Sequence, residues 1–189
     1  MDIQSTQIEL IRLITDIRSE ELLSGIKEFI QQRRKEVEAT SFSEEDFWNV
    51  MMQLDWKAEQ DEAIIAPSIE YLSQLPIASI LSFYDLLSEK LYHLDGEKYA
   101  VHSVKEDIHF SADLFLYARC AIVANGRDFY NKVLRTPSVF PKDLFFESLL
   151  YLPEKVYRLK TGKPLEYMPK FIYETGFNVK GWGEKAIQL

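Results

Sequence analysis

The 189-residue sequence has one cysteine, three histidines, seven glycines and seven prolines, and it carries fewer basic than acidic side chains, 22 against 30. Each scarcity excludes something. A single cysteine, Cys120, allows no disulfide within the chain. Its place in an apolar run marks it as a packing residue rather than a nucleophile, and a reducing cytoplasm suits such a chain. The few glycines form no phosphate-cradling loop. No Ser/His/Asp ordering, CxxC pair or close pair of catalytic carboxylates stands out. No apolar run approaches the ~20 residues that cross a bilayer, so no membrane association is expected. The first residues, MDIQSTQIELIRLITDIRSEE, lack a basic leader, an unbroken apolar stretch and a small-residue cleavage site, so they are not read as a signal peptide. A net charge of −8 argues against general nucleic-acid binding, which needs a basic footprint on the phosphates.

What is present is apolar and aromatic. Hydrophobic residues make up 47% and aromatic ones 13% of the chain, enough for one domain with a proper core and an appendage. The charge is uneven. Residues 1–153 hold 15 basic and 26 acidic side chains, whereas residues 154–189 hold 7 and 4. An acidic body with a slightly basic tail suits a basic protein partner or an internal clasp, and solubility is the plainer reading.

Helical periodicity runs through most of the sequence. Leu10, Leu13, Ile14 and Ile17 recur at three- and four-residue spacing, and so do Leu22, Leu23, Ile26, Phe29 and Ile30. Ser19 before Glu20 and Glu21 supplies a cap and first-turn acids, which puts a break near residues 17–19. Ser43 with Asp46 three residues later forms a capping-box-like start, and a boundary is expected at about residue 40. Further helices are expected over 44–56, 60–74, 77–93, 97–106, 111–125, 127–135 and 142–161. The second of these is suspect at its interior Pro67, and could begin there instead. Asn125-Gly126 reads as a helix stop, and TPSVFP (136–141) as a loop. Strand evidence is thin. From residue 165 the chain reads as an irregular tail wrapped on the body, anchored by Tyr167, Phe171, Tyr173 and Trp182. The expected fold is therefore all-α: an N-terminal amphipathic helical pair (1–40), a compact multi-helix core (41–164) and that tail (165–189).

The stretches EEDFWNVMMQLDW, LPIASILSFYDLLSEKLYHLD, FLYARCAIVANGRDFYNKVL and FESLLYLPEKVYRLKTGKP occur in that order. Over residues 44–164 they resemble the bacterial family catalogued as domain of unknown function 4240. The resemblance rests on Phe47 and Trp48, Leu75 and Pro76, Tyr117 and Arg119, Gly126, Arg127 and Tyr130, and Tyr157, Thr161 and Gly162. The sequence departs from the family pattern at 94–110, where LDGEKYAVHSVKEDIHF replaces a Trp-containing helix and a glycine-rich turn. The family name implies no activity. The segment IELIRLITDIRSEELLSGIKEFI resembles a short helical tail found on small bacterial antitoxin-like and regulatory proteins.

Arg119 raises the sharpest question, because it lies in a run that is apolar almost all round a helix. A buried arginine without a partner costs several kcal/mol, so a carboxylate from another helix should meet it. Asp55, Asp85 and Glu147 are the candidates. The functional alternatives are a partner contact, or an anion pocket built from Tyr117, Arg119, Arg127 and Tyr130. The pocket is limited by geometry, since Tyr117 and Arg119 lie about 200° apart around a helix. His102, Glu106 and His109 would share a helical face, but their segment is polar and lacks a known zinc spacing. No metal and no cofactor are expected. His93 sits near a helix end, where a cation is favourable.

The reading that best fits these features is a non-enzymatic protein-interaction module, of the immunity or antitoxin-like neutraliser or adaptor kind found in bacterial conflict systems. Its expected interface is the apolar stripe Leu10, Ile14, Ile17, Leu22, Ile26, Phe29 and Ile30. That stripe should form a helical hairpin completed by a second copy or by a protein partner, with docking onto the chain's own body as the alternative. An enzyme or small-anion-binding protein using a pocket near Arg119 is a second reading. A nucleic-acid regulator using Lys155, Arg158, Lys160, Lys163 and Lys170 is a third.

Overall fold

A computed structural model describes residues 3–39, 42–103 and 110–183. The chain divides into two compact units, Met1–Ser41 and Phe42–Leu189. Among the described residues there are ten α-helices, two short 3-10 helices and no strand.

The first unit holds α1 (Ile3–Asp16) and α2 (Glu20–Ala39). They part where the spacing predicts, because the Ser19 hydroxyl accepts the Leu22 N–H at 3.3 Å and caps α2. Glu20 and Glu21 then sit in its first turn, where a helix favours acids. Leu10, Leu13 and Ile14 of α1 are exposed, as are Leu22, Leu23, Phe29 and Ile30 of α2. The two apolar stripes therefore do not close on each other as a packed hairpin would.

In the second unit α3 (Glu44–Met51) starts on a capping box. Ser43 Oγ accepts the Asp46 N–H, and the Asp46 carboxylate accepts the Ser43 N–H in return. The helix α4 (Asp61–Ser73) runs through Pro67 instead of starting there. Ile64 and Ile65 before the proline and Ser68 and Leu72 after it are all buried, and that shared packing face outweighs the one hydrogen bond a proline removes. Next come α5 (Ile77–His93), α6 (Glu97–Ser103), α7 (Ala112–Ala124) and α8 (Arg127–Arg135). Gly126, at φ 90, makes the turn between the last two. Pro137–Val139 forms a 3-10 turn inside the expected loop.

The segment expected as one helix over 142–161 is shorter and built in two parts. A 3-10 turn spans Glu147–Tyr151, and α9 (Leu152–Thr161) begins on Pro153 in its first turn and ends on Gly162 in the left-handed conformation. Beyond it the chain is irregular until a one-turn helix, α10 (Val179–Trp182).

The core gathers around α7, on which nine residues are buried. A helix apolar on all sides must be covered on all sides, and α5, α6, α8 and the 3-10 turn at 147–151 cover it. Phe47, Ile65, Phe83, Leu91 and Leu149 complete the interior.

Candidate functional site

Arg119 is fully buried. Its Nη1 donates to the carbonyls of Leu91 (3.0 Å) and Tyr173 (2.9 Å), and its Nη2 donates to Thr175 Oγ1 (2.8 Å). The guanidinium lies 4.9 Å from the centre of the Phe115 ring. Nε alone has no partner. Burial pulls the guanidinium down to about 10, opposed by the charge of Asp95. The carboxylate beside it is Asp95, with Oδ1 3.9 Å from Nη1, and not one of the three expected acids. Asp55 accepts a local N–H from Lys57, Asp85 binds the tail, and Glu147 binds Tyr151.

Asp95 is itself satisfied by the tail. Oδ1 accepts the Trp182 indole N–H (2.7 Å) and the Gly176 N–H (3.1 Å), while Oδ2 accepts the Asn178 N–H (2.9 Å). One polar stripe underlies this. Asp85, Ser88 and Tyr92 recur at helical spacing on α5, and Asp95 continues the series just past its end. The Asp85 carboxylate accepts the Tyr167 hydroxyl, the Lys170 N–H and the Lys170 ammonium, each at 3.0 Å. Ser88 Oγ accepts the Phe171 N–H (3.4 Å), and Asn178 Nδ2 donates to the Tyr92 carbonyl (3.0 Å). Residues 167–182 are thus a strap held through both backbone and side-chain hydrogen bonds. Of the expected anchors, Trp182 is buried, Tyr173 meets Tyr84 hydroxyl to hydroxyl at 3.2 Å, and Phe171 packs on the Tyr92 ring at 5.2 Å.

Contacts within the chain also engage part of the basic segment. Lys170 is paired with Asp85, Arg158 with Glu154 at 2.7 Å, and Lys160 donates to the Ser73 carbonyl at 2.9 Å.

Arg127 and Tyr130 meet elsewhere, around Trp48. The Trp48 and Tyr130 rings lie 5.5 Å apart, and the Arg127 guanidinium lies 6.0 Å from the indole. Arg127 pairs with Glu45 at 2.7 Å. Behind them the buried Lys90 ammonium bonds Glu44 at 2.9 Å, over the Tyr130 ring. The Trp48 indole N–H donates to the same carboxylate at 3.2 Å. Lys90 holds the Glu44 carboxyl below its ordinary value, whereas burial pushes the Tyr130 phenol up. His93 Nδ1 stands 3.4 Å from the Tyr130 hydroxyl. A shallow cleft of about 380 Å³ opens beside this cluster between Trp48, Met52, Gly126 and Arg127. Two of the motif pieces, Phe47-Trp48 and Gly126-Arg127-x-x-Tyr130, therefore come together.

The four residues weighed as an anion site do not. Arg127 and Tyr130 share Trp48, Arg119 is enclosed by Asp95 and the strap, and Tyr117 stands with Glu147 and Asp113. An arginine with no exposed surface and its donors turned inward cannot grip an anion from solvent, so that grouping is corrected.

Of the expected interface, Leu10, Ile14, Leu22, Phe29 and Ile30 are exposed, and Ile17 and Ile26 are partly so. His102 closes α6, while Glu106 and His109 lie outside the described residues. Among the described residues no three His, Cys, Asp or Glu side chains are grouped to hold a metal ion. No helix among them is long and apolar enough to cross a membrane.

Asp95 and Lys90 escaped the sequence reading. Asp95 precedes Gly96, so it reads as a turn acid. Lys90 carries a clearer signal, with Leu86, Leu87 and Leu94 at three- and four-residue spacing around it.

A family model described as a protein of unknown function (DUF4240) matches residues 42–159. No curated protein and no solved structure matches the chain.

Proposed function

The chain belongs to this DUF4240 family of proteins of unknown function, and on that premise we propose that it is a non-enzymatic protein-interaction module whose contact surface is the N-terminal helical pair. One observation carries the reading. The large apolar residues of α1 and α2, among them Leu10 at 52%, Leu22 at 61% and Phe29 at 62%, are exposed. Isolated helices of this length are marginal in water unless an apolar face is covered, and contiguous exposed apolar surface marks interaction sites. The pair lies outside the family-matched segment, so it would give this chain its own partner. The net charge of −8 suits a basic partner, as in a neutraliser or adaptor acting in a bacterial cytoplasm.

The test compares the intact protein with a Leu22→Lys, Phe29→Lys variant, by sedimentation and by affinity purification from a native host. The reading expects a self-assembly or a stoichiometric protein complex with the intact chain, lost in the variant at an unchanged melting temperature of the body. An unaltered set of partners and an unaltered sedimentation mass would overturn it.

A further inference from the structure

The 142–151 segment, where helical periodicity misled, is a built surface. Phe146, Ser148 and Leu149 point inward and hold it. Phe146 is buried against the Trp56 ring at 5.2 Å, and its N–H donates to the Tyr117 carbonyl at 3.0 Å. Ser148 Oγ donates to Asp61 at 2.9 Å, and Leu149 is fully buried. Residues on either side of them face out, with Phe145 at 45% and Tyr151 at 47% exposure. On α7, Asp113, Leu114 and Tyr117 share one face by their spacing, and Leu114 is 43% exposed.

One polar pair of this surface is fixed. The Tyr151 hydroxyl donates to Glu147. Asp113 lies one helical turn before Tyr117, and the Phe146 N–H on the Tyr117 carbonyl brings the turn that carries Glu147 against the same helix. Partial burial and then the charges of Glu147 and Asp113 push the Tyr117 phenol up. Some other acids in the body meet a basic side chain: Glu44 meets Lys90, Glu45 meets Arg127, Asp85 meets Lys170 and Glu154 meets Arg158. Among the described residues, neither Glu147 nor Asp113 forms such a pair. Two tyrosines, a phenylalanine and two carboxylates are complementary to a guanidinium, which stacks on aromatic faces and forks onto carboxylates.

We propose that the patch formed by Asp113, Leu114, Tyr117, Phe145, Glu147 and Tyr151 docks an arginine-bearing segment of a protein partner. The inference rests on the interaction-module reading and adds a second contact to it, inside the family-matched region rather than on the N-terminal helices. The guanidinium stacks against Tyr117 and Tyr151, with Glu147 and Asp113 as its counter-charges, and apolar flanking residues cover Leu114 and Phe145. Leu144, at 39% exposure, extends the apolar margin.

The test titrates the full chain with a fluorescent Arg-Gly repeat peptide, and with a Lys-Gly repeat of equal charge, at low ionic strength. Saturable binding of the arginine peptide is expected, weaker for the lysine peptide and about tenfold weaker in a Glu147→Gln, Tyr151→Ala variant. A Glu59→Gln, Glu62→Gln variant, altered on another exposed acidic stretch, should bind unchanged. Equal loss in both variants means diffuse charge attraction only and overturns the proposal, as does binding weaker than about millimolar. Phe145→Ser gives a second check, because it keeps every charge and still removes one wall. The Leu22→Lys, Phe29→Lys protein should bind the peptide normally, so failure of the patch and failure of the helical interface are read apart.

Discussion

Arg119 and Asp95 sit beside each other with neither side chain exposed, yet at 3.9 Å they form an ion pair rather than a hydrogen bond. Each spends its hydrogen bonds on the chain around it, Arg119 on Leu91, Tyr173 and Thr175, and Asp95 on Gly176, Asn178 and Trp182. The pair therefore joins α7, the end of α5 and the strap at one point.

Removing one member leaves the other charged and buried. Arg119→Ala should cost about 3–5 kcal/mol of stability, and Arg119→Met should be milder because it refills the volume. Arg119→Lys should also destabilise, since one ammonium cannot reach the acceptors that a guanidinium fork spans. Urea unfolding midpoints measure all three. A full melting temperature for the alanine variant would show that the arginine is not structural.

The strap also depends on a glycine. A methyl group at Gly181 would run into the Asp95 carbonyl and stand 3.0 Å from the Gly96 Cα. Backbone cannot yield there as a flexible side chain would, so Gly181→Ala should cost about 1–3 kcal/mol. Gly25 in α2 has nothing within 4 Å of an added Cβ, and Gly25→Ala should raise helix stability by about 0.5–1 kcal/mol. Thermal unfolding and far-ultraviolet circular dichroism should move in opposite directions for the two changes.

Acid should loosen the start of α3. Lys90 lowers the Glu44 carboxyl from an ordinary 4.5, and the Ser43 cap lowers the Asp46 carboxyl from 3.8. Groups depressed in the folded state bind more protons when unfolded. Their stabilisation is complete above those ordinary values and is lost as pH falls through the depressed ones. Glu44→Gln and Asp46→Asn should each lower stability at neutral pH and flatten its decline below pH 4.5. An acid limb as steep as the parent's would contradict this assignment.

Cys120 should be silent in the native protein. Burial pushes its thiol up to about 12, and no part of it is exposed. A maleimide at neutral pH should label it only as fast as the protein unfolds, because the thiolate is the reactive form. Rapid labelling of the folded chain would mean that the α7 interior opens locally.

Periodicity located most helices because the signal is local: a Ser43–Asp46 box or a Gly126 stop is written in adjacent residues. The expectations that failed depend on distant ones. Pro67 is carried by core contacts on both sides of it, which no local propensity reports. The helix expected from residue 142 gave way to a 3-10 turn because Phe146, Ser148 and Leu149 have partners at Trp56, Asp61 and in the core. Arg119 was legible as a buried charge, but its acid was not. Asp95 sits in a turn-forming Asp-Gly step, and only the strap, 81 to 87 residues further on, encloses it. The exposed apolar stripe of α1 and α2 was legible because a solvent-facing helix keeps the same spacing as a buried one.

The strap sets an order of events during synthesis. Its bonds to Asp85, Tyr92 and Asp95 span 81 to 87 residues, so they are among the least local in the fold, and such contacts close late. The backbone hydrogen bonds of the helical pair, by contrast, join neighbours in sequence. The body cannot finish in the same way. While residues 42–159 are already made, Asp85, Asp95 and Arg119 still wait for donors and acceptors that exist only once residues 167–182 have been added. A nascent chain halted before that point holds three charged groups in a half-dry interior and keeps it open to water, chaperones and proteases. The charged interior of the body is satisfied only when that stretch is in place.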